Sequence, residues 1–204
     1  MATRGDTEGF RNTFGDGLRQ IFLMLIPSTA ILIALDKPII RLLYEHGKFN
    51  AAQTHVVAQA LFGFAWGLVL NGASLLLIRA FFSLKKTWTP TIASVVTLVV
   101  NGVFDALLYR RFGLEGIAFA TSIVNVVAFV VLYVLLRRQV GRLGSMKTLH
   151  TVVIAVLCSA GVALLGHEIW RVIDSVLGRS IVGQVVSVGT ASAVAAIMYC
   201  ALVI

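Results

Sequence analysis

Six long apolar stretches follow one another along the chain, separated by short segments that carry most of its charged residues. With its mildly polar flanks, each approaches the roughly 20 residues that an α-helix needs to cross a bilayer. The ten-residue alternation typical of transmembrane β-strands is not visible. The pattern therefore predicts an all-α integral membrane protein with six transmembrane helices. The predicted spans are about 18–36, 55–79, 89–109, 115–136, 149–168 and 180–204.

Composition supports this class of protein. Hydrophobic residues make up 58% of the 204 residues and charged residues 13%, whereas soluble proteins hold about a quarter charged residues. An even number of spans places both termini on one side of the membrane. Ten of the 17 Lys and Arg residues fall on that side, so the positive-inside rule predicts cytoplasmic termini.

The net charge of +8 is divided among short connections and forms no long basic stripe. Anionic membrane lipids are therefore the expected partner, and nucleic acid is not. Cys158 and Cys200 fall inside predicted spans without a CxxC pair, so we expect neither a disulfide framework nor a zinc site. No GxSxG, HExxH, P-loop or GxGxxG motif is present, which favours transport over enzymatic catalysis.

Two connections shape the predicted organisation. Charged residues alternate with apolar ones after Pro38, which predicts a short amphipathic helix over 38–46 at the outer interface, ended by Gly47. Residues after 138 form a basic, glycine-containing linker. It divides the chain into a unit of four helices, 1–138, and a unit of two additional helices, 139–204.

Asp105 is the most informative polar residue, because a carboxylate within an apolar span is costly and is a candidate functional group. It follows Asn101 by four residues, so both side chains lie on one helical face, where they can jointly hold a cation or share a proton. A second interpretation stays open, in which Asp105 lies near the end of its span and reaches toward water or toward Arg110 and Arg111.

The connection over 109–116 is short, so the third and fourth spans must be antiparallel neighbours. Thr121 then lies about as far beyond the turn as Asp105 lies before it, and Asn125 follows Thr121 by one helical turn. These two residues also have an ordinary interpretation: Thr121 bonds its own helix backbone, and Asn125 bonds a neighbouring helix.

The second predicted span carries small and polar residues that suit helix packing. Gly63 and Gly67 form a GxxxG pair, which lets another helix approach closely. Asn71 lies near the middle of the span and is expected to form an interhelical hydrogen bond. Arg79 closes the span at its far end.

Three segments resemble the MurJ/MviN lipid II flippases of the MOP flippase superfamily. The stretch from Pro38 to Phe49 is similar to the family's outer amphipathic turn. Residues 79–82 and 87–90 resemble its Arg-Ala-Phe-Tyr and Thr-x-Thr-Pro signature, with Phe82 where tyrosine is usual and Lys86 where aspartate is frequent. Residues 113–122 resemble its Gly-x-x-Gly-x-Ala-x-Ala-Thr-Ser motif.

The resemblance implies that the chain is the carboxy-terminal part of a MOP-type transporter. It would supply most of the carboxy-terminal lobe plus two extra helices that shape a lipid-tail groove. The complete protein would move an undecaprenyl-linked peptidoglycan precursor, lipid II, across the bacterial inner membrane by alternating access. The missing amino-terminal lobe of the same protein would supply the cavity arginines that meet the diphosphate.

The resemblance also implies a sodium site, with Na⁺ as the coupling ion. Its ligands in this chain would be Asn101, Asp105, the carbonyl of Ile117 and Thr121, and a further acidic ligand would come from a helix that this chain lacks. Candidates for gate or substrate-facing positions are Arg79, Asn71 and Asn125.

Two other functions remain open. The chain could belong to a flippase for another polyprenyl-linked glycan, or to a multidrug/cation antiporter of the same superfamily. From a different class, it could be an inert membrane fragment or scaffold that transports nothing.

Overall fold

The computed structural model describes residues 7–44, 51–141, 145–177 and 181–203, and these ranges are almost entirely helical. Within them, six helical segments are long and apolar enough to cross a membrane, which confirms the six-span prediction. The helices are α1 (Thr7–Ala34), α2 (Asp36–Tyr44), α3 (Ala51–Ser83), α4 (Trp88–Val140), α5 (Ser145–Leu177) and α6 (Ile181–Val203).

Helix α4 supplies two of the six spans, because its backbone breaks at Gly113, where φ is 60° and ψ is −139°. We call Trp88–Gly113 the first arm and Glu115–Val140 the second arm. The turn is tight, since a Cβ on Gly116 would lie 2.5 Å from the carbonyl oxygen of Leu108. Farther from the turn, Ile92 and Val131 line one cavity together. The arms are therefore antiparallel, as the short connection predicts.

Several helices extend beyond the predicted spans. Helix α1 begins at Thr7 rather than near residue 18, and α5 continues to Leu177 rather than ending near 168. The extension of α1 is amphipathic, and Phe14 on its apolar face is only 5% exposed, as is Leu18 at the start of the predicted span. A search for continuous apolar runs misses such a segment, because only one of its faces is buried.

The short helix α2 begins two residues before its predicted start. Its Pro38 and Ile40 are buried, whereas Leu43 is 62% exposed. The two faces of the helix therefore differ in burial, as expected of an amphipathic helix. The predicted stop at Gly47 lies outside the described residues. Helix α1 continues as a helix through Pro27, which is buried.

The main core lies where α1, α3, the second arm of α4 and α5 meet. Its fully buried members include Leu77, Phe81 and Leu136, and α3 also presses Gly72 against Leu25 of α1. By contrast, none of the most apolar window of the first arm is buried. The first arm therefore stands at the edge of the bundle with one side uncovered by the described residues.

Helices α5 and α6 pack against each other, and α5 also packs along α1. Two polar contacts add to this attachment. His167 Nδ1 lies 2.9 Å from the carbonyl oxygen of Ala34, and Arg41 of α2 pairs with Asp174 of α5 at 3.6 Å. The division at residue 138 stays a prediction, and residues 142–144 of the linker lie outside the described residues.

Candidate functional site

Polar side chains occupy successive turns along one face of the first arm. Ser94, Thr97, Asn101 and Asp105 follow one another by three or four residues, so they share that face. Oδ1 of Asn101 and Oδ1 of Asp105 are both buried and have no hydrogen-bond partner among the described residues. A buried acceptor without a partner is energetically costly. The two oxygens therefore mark a place where a cation or a proton donor can bind.

The Asp105 carboxylate does not pair with the arginines near the turn. Arg110 and Arg111 are exposed, and neither forms an ion pair with Asp105 in the described part of the chain. Since Asp105 Oδ1 is itself buried, the structure favours an inward-facing carboxylate over one that reaches toward Arg110 or Arg111.

Thr121 stands on the second arm, and its hydroxyl donates to the carbonyl oxygen of Ile117 at 3.0 Å. This is the backbone-bonded arrangement that the sequence also allows. It leaves lone pairs on the Thr121 hydroxyl, so this oxygen can still coordinate a cation, whereas the Ile117 carbonyl accepts the hydroxyl proton in addition to the N–H that a helical carbonyl accepts. Their role as sodium ligands stays a prediction.

A cavity of about 300 Å³ opens between α3 and the two arms, and we call it the polar cavity. It brings Asn71, Asn101, Thr121 and Asn125 together from three separate segments. Asp105 lies one turn beyond Asn101, outside the lining. The lining residues are Asn71, Ser74, Leu75, Ile78, Ala93, Ser94, Thr97, Leu98, Asn101, Thr121, Val124, Asn125, Ala128 and Leu132.

Arg79 is not part of this cavity. It follows the lining residue Ile78 on α3, and it is exposed. The structure thus groups four of the seven candidate residues around one space and leaves Arg79, Asp105 and Ile117 outside the lining.

Close packing of α3 against the second arm positions Asn125. A Cβ added at Gly67 would lie 2.7 Å from Asn125 Nδ2, and one added at Gly63 would lie 2.8 Å from the Ala118 Cβ. Such distances are shorter than normal van der Waals contact, so only glycine allows this approach. The GxxxG prediction is therefore confirmed.

Four polar residues of this region were not among the sequence-based candidates. Ser94 and Thr97 continue the spacing of Asn101 and Asp105 toward the start of the arm, and Ser74 follows Asn71 by three residues, so periodicity is the signal that finds them. Ser122 differs, because its partner is the distant Gly63 carbonyl and no local pattern indicates that contact.

Comparison with known proteins agrees with this fold. The family profile described as "Lipid II flippase MurJ" matches residues 1–188. The lipid II flippase MurJ of Thermosipho africanus is 34% identical over 130 residues, which cover 64% of this chain and 27% of that protein. The probable lipid II flippase MurJ of Vibrio cholerae is 27% identical over 165 residues, covering 81% and 31% respectively.

A solved structure of a lipid II flippase MurJ in an inward closed conformation superposes with a TM-score of 0.69. The sequence identity is 24%, and the match covers 98% of this chain and 41% of that one. The likeness shows that the two chains share a fold. Alignments with the curated relatives cover about a quarter to a third of their length. Because the family profile matches residues 1–188 of 204, the chain belongs to the lipid II flippase MurJ family.

Proposed function

We propose that this chain is part of a lipid II flippase that moves an undecaprenyl-linked peptidoglycan precursor across the bacterial inner membrane by alternating access. The family match over residues 1–188 carries the proposal. The chain would form four helices of the carboxy-terminal lobe and two further helices. Its partner would be the amino-terminal lobe, which corresponds to the larger share of its relatives' length.

The bundle would lie with both termini in the cytoplasm, as the distribution of Lys and Arg favours. In this orientation the exposed Arg79 and the connection at Lys85 and Lys86 face the anionic headgroups of the cytoplasmic leaflet. Transport by such a protein needs no covalent chemistry, and its named relatives are flippases rather than catalysts.

Sodium would bind to Asn101, Asp105, the Ile117 carbonyl and Thr121, and would act as the coupling ion. Two observations support this set of ligands. In the described part of the chain the buried oxygens of Asn101 and Asp105 have no hydrogen-bond partner, and hard cations prefer oxygen ligands. The first arm also has an uncovered side, which leaves room for an additional ligand from a helix outside this chain.

The sodium site is tested by Asp105→Asn in the protein expressed from its complete gene. We expect Na⁺ to raise the midpoint of thermal unfolding of the parent protein, and the variant to lose this increase at near-normal expression. Glu168→Gln is the matched control, because Glu168 is exposed and pairs with Arg171 of its own helix. If Na⁺ raised the unfolding midpoint of the Asp105→Asn protein as much as that of the parent, Asp105 would not be a sodium ligand.

The substrate is tested by complementation of bacteria depleted of their own lipid II flippase. We expect the complete gene to restore growth, whereas a flippase for another glycan, an antiporter or an inert scaffold would not. The 204-residue chain alone, reconstituted in liposomes, should leave lipid II in its original leaflet. Flipping by that chain alone would show that the amino-terminal lobe is dispensable.

A further inference from the structure

The hydroxyl groups that line the polar cavity share one arrangement. Each donates its proton to a carbonyl of its own helix one turn earlier: Ser74 to Leu70 at 2.8 Å, Ser94 to Pro90 at 2.9 Å, Thr97 to Ala93 at 2.5 Å and Thr121 to Ile117 at 3.0 Å. With the proton engaged, only the lone pairs of each oxygen remain available. These four groups can therefore coordinate a cation or accept a hydrogen bond from water, but they cannot donate to an anion.

The remaining polar lining consists of three asparagine side chains, and no Lys, Arg or His is among the lining residues. The carboxylate of Asp105 lies one turn beyond Asn101, about 6 Å farther along the helix axis. The asparagine amides can both donate and accept hydrogen bonds, so the lining is neutral, and the negative charge beyond it attracts cations and repels anions. The electrostatic potential in the cavity therefore favours cations over anions.

The size of the cavity suits a hydrated ion. Its volume of about 300 Å³ is several times the roughly 30 Å³ that one water molecule occupies in the liquid. Water remains in a cavity only where polar groups hold it, and here seven polar side chains are spread over three helical segments. Along the first arm the lining runs from Ala93 to Asn101, so the space ends next to the Asn101–Asp105 pair.

We propose that the polar cavity is a hydrated vestibule, through which a monovalent cation reaches Asn101 and Asp105 and from which anions are excluded. The inference rests on the proposed sodium site and adds its route of access. Thr97, Thr121 and Asn125 act there as successive neutral contacts for the ion and its water. They replace part of the hydration shell that the ion loses within the membrane.

A second cavity between the same two arms provides an internal comparison. Its volume is about 320 Å³, and it shares Ala93, Thr97 and Ala128 with the polar cavity, but the rest of its lining is Trp88, Thr89, Ile92, Val96, Val100, Val127, Val131 and Leu135. An apolar cavity of this kind does not hold water. The two spaces therefore match in size and both lie against the two arms, but only the polar cavity is also lined by α3, and they differ in polarity.

The test measures the reactivity of single cysteines in membrane vesicles that contain the protein from its complete gene. All native cysteines, including Cys158 and Cys200, are replaced by alanine. Ser94→Cys and Asn125→Cys place a thiol in the polar cavity, and Val96→Cys and Val131→Cys place one in the apolar cavity. Two membrane-impermeant reagents of similar size are compared, the cationic trimethylammonium-ethyl methanethiosulfonate and the anionic sulfonatoethyl methanethiosulfonate.

We expect the cationic reagent to modify the cysteines at 94 and 125 about tenfold faster than the anionic reagent, because a cleft of one charge sign concentrates counter-ions. When Asp105→Asn is combined with either of these cysteine variants, the preference for the cationic reagent should decrease. Cysteines at 96 and 131 should resist both reagents, since the mostly apolar lining around them does not hold water. Ser94→Cys is a small change, because it only exchanges one oxygen for sulfur. Labelling after denaturation verifies that every thiol is present in the protein.

The vestibule proposal would be wrong if the cysteines at 94 and 125 were unreactive, or if both reagents modified them at equal rates. If Na⁺ still stabilised the protein and the gene still complemented flippase depletion, the proposed function would stand without this route. If complementation failed while the cationic preference held and depended on Asp105, the vestibule would stand and the flippase assignment would fall.

Discussion

The hydroxyl of Ser122 donates a 2.5 Å hydrogen bond to the carbonyl oxygen of Gly63, which joins the second arm of α4 to α3 inside the bundle. Ser122 is buried, and the missing side chains at Gly63 and Gly67 are what allow the two helices to come this close. The same approach sets Asn125 beside the polar cavity. Helix packing and the position of a candidate site residue thus depend on one contact surface.

Gly67→Ala tests that surface directly. Its new Cβ would lie 2.7 Å from Asn125 Nδ2 and 2.9 Å from the Ser122 Cα, so one helix must shift. Overpacking of this kind costs about 1–3 kcal/mol. We expect a lower midpoint of thermal unfolding in detergent. Gly102→Ala is the control, because nothing lies within 4 Å of its new Cβ and alanine favours a helix. Equal midpoints for the two variants would contradict the close approach.

Ser122→Ala removes the hydrogen bond to Gly63 without adding bulk. Interhelical hydrogen bonds in membrane proteins are worth about 0.6 kcal/mol on average, so we expect a loss of free energy of unfolding near that value. The matched control is Ser28→Ala, because the exposed Ser28 hydroxyl donates only to Met24 of its own helix. The comparison requires reversible unfolding in mixed micelles. A control variant that loses as much as Ser122→Ala would show that the interhelical bond contributes nothing.

Arg11→Gln tests how the start of α1 holds the end of α4. Arg11 Nε donates to the Val140 carbonyl at 2.6 Å, where the carboxyl end of the helix carries partial negative charge. Removing a cation from such a position costs about 0.3–1 kcal/mol, and high salt should reduce the difference. Arg19→Gln serves as the control, since Arg19 pairs with Asp16 of the same helix. An equal effect of the two substitutions would argue against a specific contact at Val140.

The pair formed by Arg41 and Asp174 is suited to a double-mutant cycle. Their side chains are only 18% and 22% exposed, and they join α2 to α5 at 3.6 Å. Arg41→Gln and Asp174→Asn, alone and together, should give a coupling energy of about 0.5–3 kcal/mol, as expected for residues in contact. The exposed i,i+3 pair of Glu168 and Arg171 should give about 0.2–0.5 kcal/mol in the same cycle. Additive effects at Arg41 and Asp174 would mean that the pair does not attach α5.

Much of the candidate site could be predicted because helical periodicity is local. The four-residue spacing of Asn101 and Asp105 places them on one face whatever surrounds the helix. Thr121 could be placed near them because the turn at Gly113 is short. Ser122 could not be predicted in the same way, because its partner Gly63 lies 59 residues away.

The number of spans, the hairpin of α4 and the polar face of its first arm can all be predicted from the amino-acid sequence. Each of these follows from apolar length, turn residues or spacing within one segment. Two arrangements could not be predicted in this way: Asn71 of α3 and Asn125 of the second arm share a cavity with Asn101, and α5 packs along α1. Those arrangements depend on which faces of distant helices fit together, and close packing between helices is a property of the assembled bundle rather than of any one of them.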